Sequence, residues 1–130
     1  MEKVSVESSQ GLVDEIRVPD DSAAMGFLWL IRFLNLWRGL WAAREAGSFK
    51  LSLYAAYDTS VGPYHGWIAQ QVFYIAAGAV PTWEQAEEYL DELDPEGAAG
   101  VLRCVASLAP VCERIEVALK ENDMWDVRKV

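Results

Sequence analysis

The sequence predicts an all-helical domain, and three observations carry that prediction. Strand signals are weak, with no alternating polar and apolar run bounded by Asn-Gly or Asp-Gly turns. Helix ends, by contrast, are marked by capping residues, Gly and Pro. And the stretch from Met25 to Trp41 is apolar around most of a helix circumference, so it needs cover on most sides.

The elements follow in order. Gln10 to Arg17 reads as a short helix stopped near Pro19. Asp20, Asp21 and Ser22 offer N-cap side chains to a long helix over 22–46, with Gly47 as its C-terminal glycine. A helix over 49–61 ends at Gly62-Pro63, and Pro63 suits the first turn of the next, over 64–79. After Pro81, Thr82-Trp83-Glu84-Gln85 is a capping box that opens an acidic helix over 82–93. Asp94-Pro95-Glu96-Gly97 is a turn, with Asp94 as an N-cap for a last helix over 96–121 that Pro110 should kink.

A chain of 130 residues, 52% of them hydrophobic, makes one domain with a real core, spanning 1–130. Net charge is −9, which argues against a partner with a phosphate backbone, so no nucleic acid is expected. Seven acidic residues and no basic one lie between Glu84 and Glu96, which reads as a solvated helix face. From Ser22 to Thr82, Glu45 and Asp58 face Arg32, Arg38, Arg44 and Lys50, leaving an apolar, faintly basic middle. Cys104 and Cys112, eight apart on one helix, sit roughly 12 Å from each other, too far for a disulfide; both read as small buried hydrophobes. Met1 to Arg17 has no apolar core of a signal peptide, and no stretch is long enough to span a membrane, so a cytoplasmic setting is expected.

Two constellations stand out. Placed on a helix, His65 shares a face with Ile68, Ala69, Val72 and Phe73, which predicts an inward-facing imidazole. Trp67 falls about 200° away, beside Tyr64, Gln70, Gln71 and Tyr74, and so lies near the surface. Trp29 and Arg32, three apart, are neighbours on one helix face. An Arg between Ile31 and Phe33 needs a polar or anionic partner if buried. The pair is either a platform for a sugar ring or other polar headgroup, or a core Trp with Arg32 paired to a carboxylate on a facing helix. With one His, no Gly-rich phosphate loop and no cluster of metal ligands, neither an enzyme nor a metal or cofactor site is expected.

Tyr54-Ala55-Ala56-Tyr57, then Gly62-Pro63-Tyr64-His65-Gly66-Trp67-Ile68, then Phe73 and Ala79-Val80-Pro81-Thr82, resembles the signature of the glycolipid transfer protein family. Phe27-Leu28-Trp29-Leu30-Ile31-Arg32-Phe33-Leu34, upstream by about the family's interval, resembles its leucine–tryptophan–leucine–x–arginine helix. The likeness runs from about Leu12 to Val130. It implies a two-layer helical sandwich that binds one sphingolipid and carries it between membranes without catalysis, as a cytoplasmic protein in transient contact with membrane surfaces. By that resemblance Trp29 stacks on the headgroup sugar beside Arg32, His65 hydrogen-bonds the ceramide amide carbonyl, and Trp67, with Tyr64, meets the membrane. It likewise puts Met25, Leu36, Leu40, Tyr57, Val61, Phe73 and Val130 along an apolar slot for the acyl chains.

Two departures qualify the likeness. The family's headgroup-anchoring helix, with Asp, then Asn and a basic residue at one-turn spacing, has no counterpart before Leu12; Glu2, Lys3, Glu7 and Ser8 do not reproduce it. An N-terminally truncated sandwich is therefore expected, with an apolar groove left along Met25–Trp41. Such a groove leaves a second reading open: a protein-interaction module, or a homodimer, without transfer activity. Second, relatives that bind phosphorylated ceramide carry another Arg one turn earlier, where this chain has Leu28, and that favours a sugar headgroup.

Overall fold

The computed structural model describes residues 16–130. Among them are five α-helices and one short 3-10 turn, with no strand. Helix α1 spans Ala23–Ala42, α2 Phe49–Ser60, α3 Trp67–Ala77, α4 Trp83–Leu93 and α5 Gly97–Glu121; the 3-10 turn is Gly62–Tyr64. The helix expected before Pro19, and the residues weighed at the N-terminus, lie outside the described residues, except that Ile16 and Arg17 carry no regular structure.

The caps sit where the sequence puts them, because each supplies an oxygen to an otherwise unpaired amide in a first helical turn. Ser22 accepts from Met25 N–H at 3.1 Å, and Ser48 from Leu51 N–H at 3.1 Å. Thr82 and Gln85 form the reciprocal capping box. Asp94 differs from expectation. It ends α4, and its carboxylate accepts from Glu96 N–H, while Asp91 accepts from Ala98 N–H in the first turn of α5. Helix α1 stops at Ala42, and turns carry the chain through Ala46. Helix α5 runs on through Pro110. It ends in paired bonds, Met124 N–H to Leu119 O and Asp123 N–H to Lys120 O, with Asp123 at φ 56°. That left-handed residue turns the tail back over the domain.

Helix α1 packs mainly on α2 and α5, and α4 lies on α5. Gly39 permits the first of these contacts, since a Cβ there would stand 3.2 Å from Ala56 Cβ. Two apolar clusters result. One gathers Val18, Leu28, Ile31, Cys112 and Leu119; the other gathers Leu40, Trp41 and Ala56 with Phe49 and Trp83 around them. Burying each large aliphatic or aromatic side chain here contributes about 1.5–3 kcal/mol. Cys112 is buried as expected, but Cys104 is exposed, because it lies on the solvent side of α5. Helix α4 buries no residue, in keeping with a solvated acidic face. Phe27, Leu30, Phe33 and Trp37 leave an apolar stripe on α1 exposed.

Candidate functional site

The largest departure from the sequence reading concerns His65. It is not on a helix. Pro63 sits in the 3-10 turn, His65 itself is extended (φ −94°, ψ 140°), and α3 begins only at Trp67. The predicted apolar face of His65 therefore does not exist: Ile68 and Val72 are 74% and 62% exposed. The helical period fails here because the backbone of Tyr64 and Gly66 pairs elsewhere. Gly66 N–H donates to Val130 O at 2.5 Å and Val130 N–H to Tyr64 O at 2.9 Å, so the C-terminal tail takes the hydrogen bonds that another helical turn would have used.

His65 is nonetheless drawn inward. Its Nδ1 lies 2.7 Å from the Tyr57 hydroxyl, and its ring lies 5.5 Å from that of Trp29. Burial lowers its pKa, so the imidazole is neutral at physiological pH. Tyr57 is fully buried and stacks on Phe73, with centroids 3.6 Å apart and planes 5° from parallel. Gly62 lies against it, where a Cβ would approach its ring to 3.1 Å.

Arg32 completes the group and is only 3% exposed. Its guanidinium lies over the Tyr64 ring, 3.6 Å from the centroid, and 5.0 Å from the centroid of Trp29. The expected polar partner is present, but it is neither an anion nor on a facing helix: Nη2 donates to the backbone carbonyl of Asp126 in the tail. Its Nε is buried with no partner among the described residues. Burial lowers the Arg32 pKa, opposed by Tyr64 and Asp126. Trp29, Arg32 and His65, read separately from two distant segments, thus share one cluster.

The tail was missed. Asp126 is 2% exposed and accepts from Val18 N–H at 2.9 Å, from Arg128 N–H at 3.0 Å, and from the Arg128 side chain at 2.6–3.0 Å. Burial alone would raise its pKa; the hydrogen bonds and the charge of Arg128 outweigh it and hold the group down at about 2. Arg128 also donates to Val18 O at 3.0 Å. A cavity of about 220 Å³ opens here, lined by Met25, Trp29, Arg32, Asp126, Lys129 and Val130 among others. No signal in the sequence marks Asp126 or Arg128, because their partners lie more than a hundred positions away.

The residues expected along one acyl slot are dispersed. Met25 and Val130 line the small cavity, and Val130 is 65% exposed. Leu36 and Leu40 belong to the Trp41 cluster, while Tyr57 and Phe73 stack together near buried Val61. Trp67 is 72% exposed, as its half-polar face suggested, but Tyr64 is half-buried beneath Arg32. A larger open groove, about 930 Å³, runs from Phe27 of α1 along Val111–Glu121 of α5 to Met124, so the apolar groove expected beside Met25–Trp41 is lined on its other side by α5.

A family model for glycolipid transfer protein (GLTP) matches residues 2–92, more than half of the chain. The chain belongs to the glycolipid transfer protein family. Its all-helical fold is that of the family. The match takes in Trp29, Arg32, His65 and Trp67 and stops before α5 and the tail, so Asp126 and Arg128 enter the site on structural grounds alone. Neither a curated relative nor a solved structure gives a significant match. At family level this is a glycolipid-binding, lipid-transfer chain, and none of its described helices is long and apolar enough to cross a membrane.

Proposed function

We propose that the chain, as one domain over 1–130, binds a sphingolipid with a sugar headgroup and carries it between membranes without catalysis. The carrying observation is the cluster around Trp29: an indole for a sugar face, a buried Arg32 cation with a spare Nε–H and its guanidinium 5.0 Å from that ring, and a neutral His65 imidazole 5.5 Å from it. In this reading Trp29 stacks on the sugar, Arg32 and His65 bind polar atoms of headgroup and amide, and the acyl chains enter between the separate apolar groups that hold Met25 and Val130, Leu36 and Leu40, and Tyr57, Val61 and Phe73. A sugar is favoured over a phosphate because Leu28, where a second Arg would stand, is fully buried in the core. Exposed Trp67 is the membrane contact, at a cytoplasmic surface, with only the open edge of Tyr64 available beside it. Extraction of the purified chain with organic solvent, followed by mass spectrometry, should yield a glycosphingolipid; a chain that neither carries one nor takes one from vesicles defeats the reading.

A second reading has its own support. The exposed stripe Phe27, Leu30, Phe33 and Trp37 suits a homodimer interface without transfer activity. A lipid-free dimer in solution, dissociated by Phe33→Glu, would favour it.

A further inference from the structure

We propose that Tyr57 is a positioning residue, which fixes the tautomer of His65 and so makes the site take a hydrogen-bond acceptor. This deepens the lipid reading above and rests on it. The resemblance assigns Tyr57 to the apolar slot, yet its hydroxyl is the polar atom bonded to His65, 2.7 Å from Nδ1. The ring has no freedom to aim elsewhere: it is fully buried, stacked flat on Phe73, edge-on to Tyr74 at 5.7 Å, and backed by Gly62.

The bond has two arrangements, and only one satisfies both groups. If Nδ1 carries the proton and donates, the Tyr57 hydroxyl proton is left buried with no other acceptor among the described residues, an unmet donor that opposes this arrangement. If Tyr57 donates to an unprotonated Nδ1, its proton is met, and the imidazole proton must sit on Nε2. Nε2 bonds to no described residue, and it belongs to the ring lying beside Trp29. A neutral His65 held this way presents an N–H donor. It therefore selects a carbonyl, ether or hydroxyl oxygen of the ligand and rejects a bare N–H in the same place. The lowered pKa of His65 keeps the ring in the neutral state where the distinction matters.

The chain has one histidine, so its ring can be read without assignment. Long-range ¹H–¹⁵N correlation at neutral pH should show the parent imidazole protonated on Nε2. Tyr57→Phe keeps the ring stack and should give a mixture of tautomers. It should also lower the affinity for galactosylceramide in phosphatidylcholine vesicles roughly five- to tenfold with little change in melting temperature. A parent ring protonated on Nδ1 overturns the proposal, as does a Tyr57→Phe ring that keeps the Nε2–H form and full affinity. If Tyr57→Phe does not fold, the parent spectrum still decides. Failure of the parent to bind galactosylceramide, with the Nε2–H spectrum intact, overturns the lipid reading while supporting the orienting role of Tyr57.

Discussion

The two halves of α1 are made of similar residues and do different work. The C-terminal half places Leu40 and Trp41 against Ala56, Phe49 and Trp83, with the two indoles edge-to-face at 5.1 Å. The buried indole N–H groups of Trp41 and Trp83 there have no acceptor among the described residues. The N-terminal half packs Leu28 and Ile31 into the core but turns Trp29 and Arg32 toward a cavity shared with the tail. There the Asp126 carboxylate is fully hydrogen-bonded, and the Arg32 Nε and His65 Nε2 are the groups that meet no described partner. One half therefore gains stability by excluding polar atoms and tolerates two orphaned donors. The other carries buried charge, which only a nearly complete hydrogen-bond network makes tolerable.

The comparison breaks most easily at Trp41. Replacing it with Ala removes a large buried ring and should destabilise the fold by about 3–5 kcal/mol. A urea titration would measure this. Because Trp41 lies outside the Trp29–Arg32–His65 cluster, whatever protein remains folded should keep its preference for a sugar headgroup. A preference that falls in step with stability would mean that the two halves are one unit.

Asp126→Asn tests the other half with a smaller effect. Removing the carboxylate takes away the buried charge that Arg128 and Val18 N–H bond to and should lower stability by about 2–3 kcal/mol. Unlike Trp41→Ala, it should also weaken headgroup binding, since the Asp126 backbone accepts from Arg32. Acid should imitate the substitution. The folded pKa, about 2, is depressed below the ordinary carboxylate value of 3.8. The stabilisation is thus fully present above about pH 4 and lost as the pH falls through about 2. Asp126→Asn should flatten that part of the stability–pH curve; an unchanged acid limb would show that Asp126 is not the group responsible.

Legibility divided along the same line. The helices could be read because their signals are local: Ser22, Ser48 and the Thr82–Gln85 box each act within three residues. Trp29 with Arg32 could be read because one helical turn separates them. His65 faces inward, as its sequence predicts, but for a different reason. Its inward aim comes from Tyr57 and from tail pairing at Tyr64 and Gly66, not from a helix face shared with Ile68 and Val72. The Asp126–Arg128 clasp was illegible because side chain and backbone meet there across nearly the whole described chain. No period or spacing encodes such a contact, and the acidic and basic letters of the tail resemble any solvated terminus.

The smallest effect is the most selective. Trp29 is half-buried at the mouth of the small cavity, 5.0 Å from the Arg32 guanidinium and 5.5 Å from His65. Trp29→Ala removes an aromatic surface and should cost about 1 kcal/mol of binding, roughly fivefold in affinity. It will also lower stability, because Arg32 loses the indole beside it, so a fall in binding alone proves little. The informative quantity is a ratio. If the indole stacks on a sugar, the loss should appear for galactosylceramide and be nearly absent for unglycosylated ceramide measured in the same vesicles. Trp29→Phe, which keeps a flat ring, should recover part of the difference. Equal losses for both lipids would make Trp29 a packing residue like Trp41, and the two halves of α1 would then differ in charge but not in function.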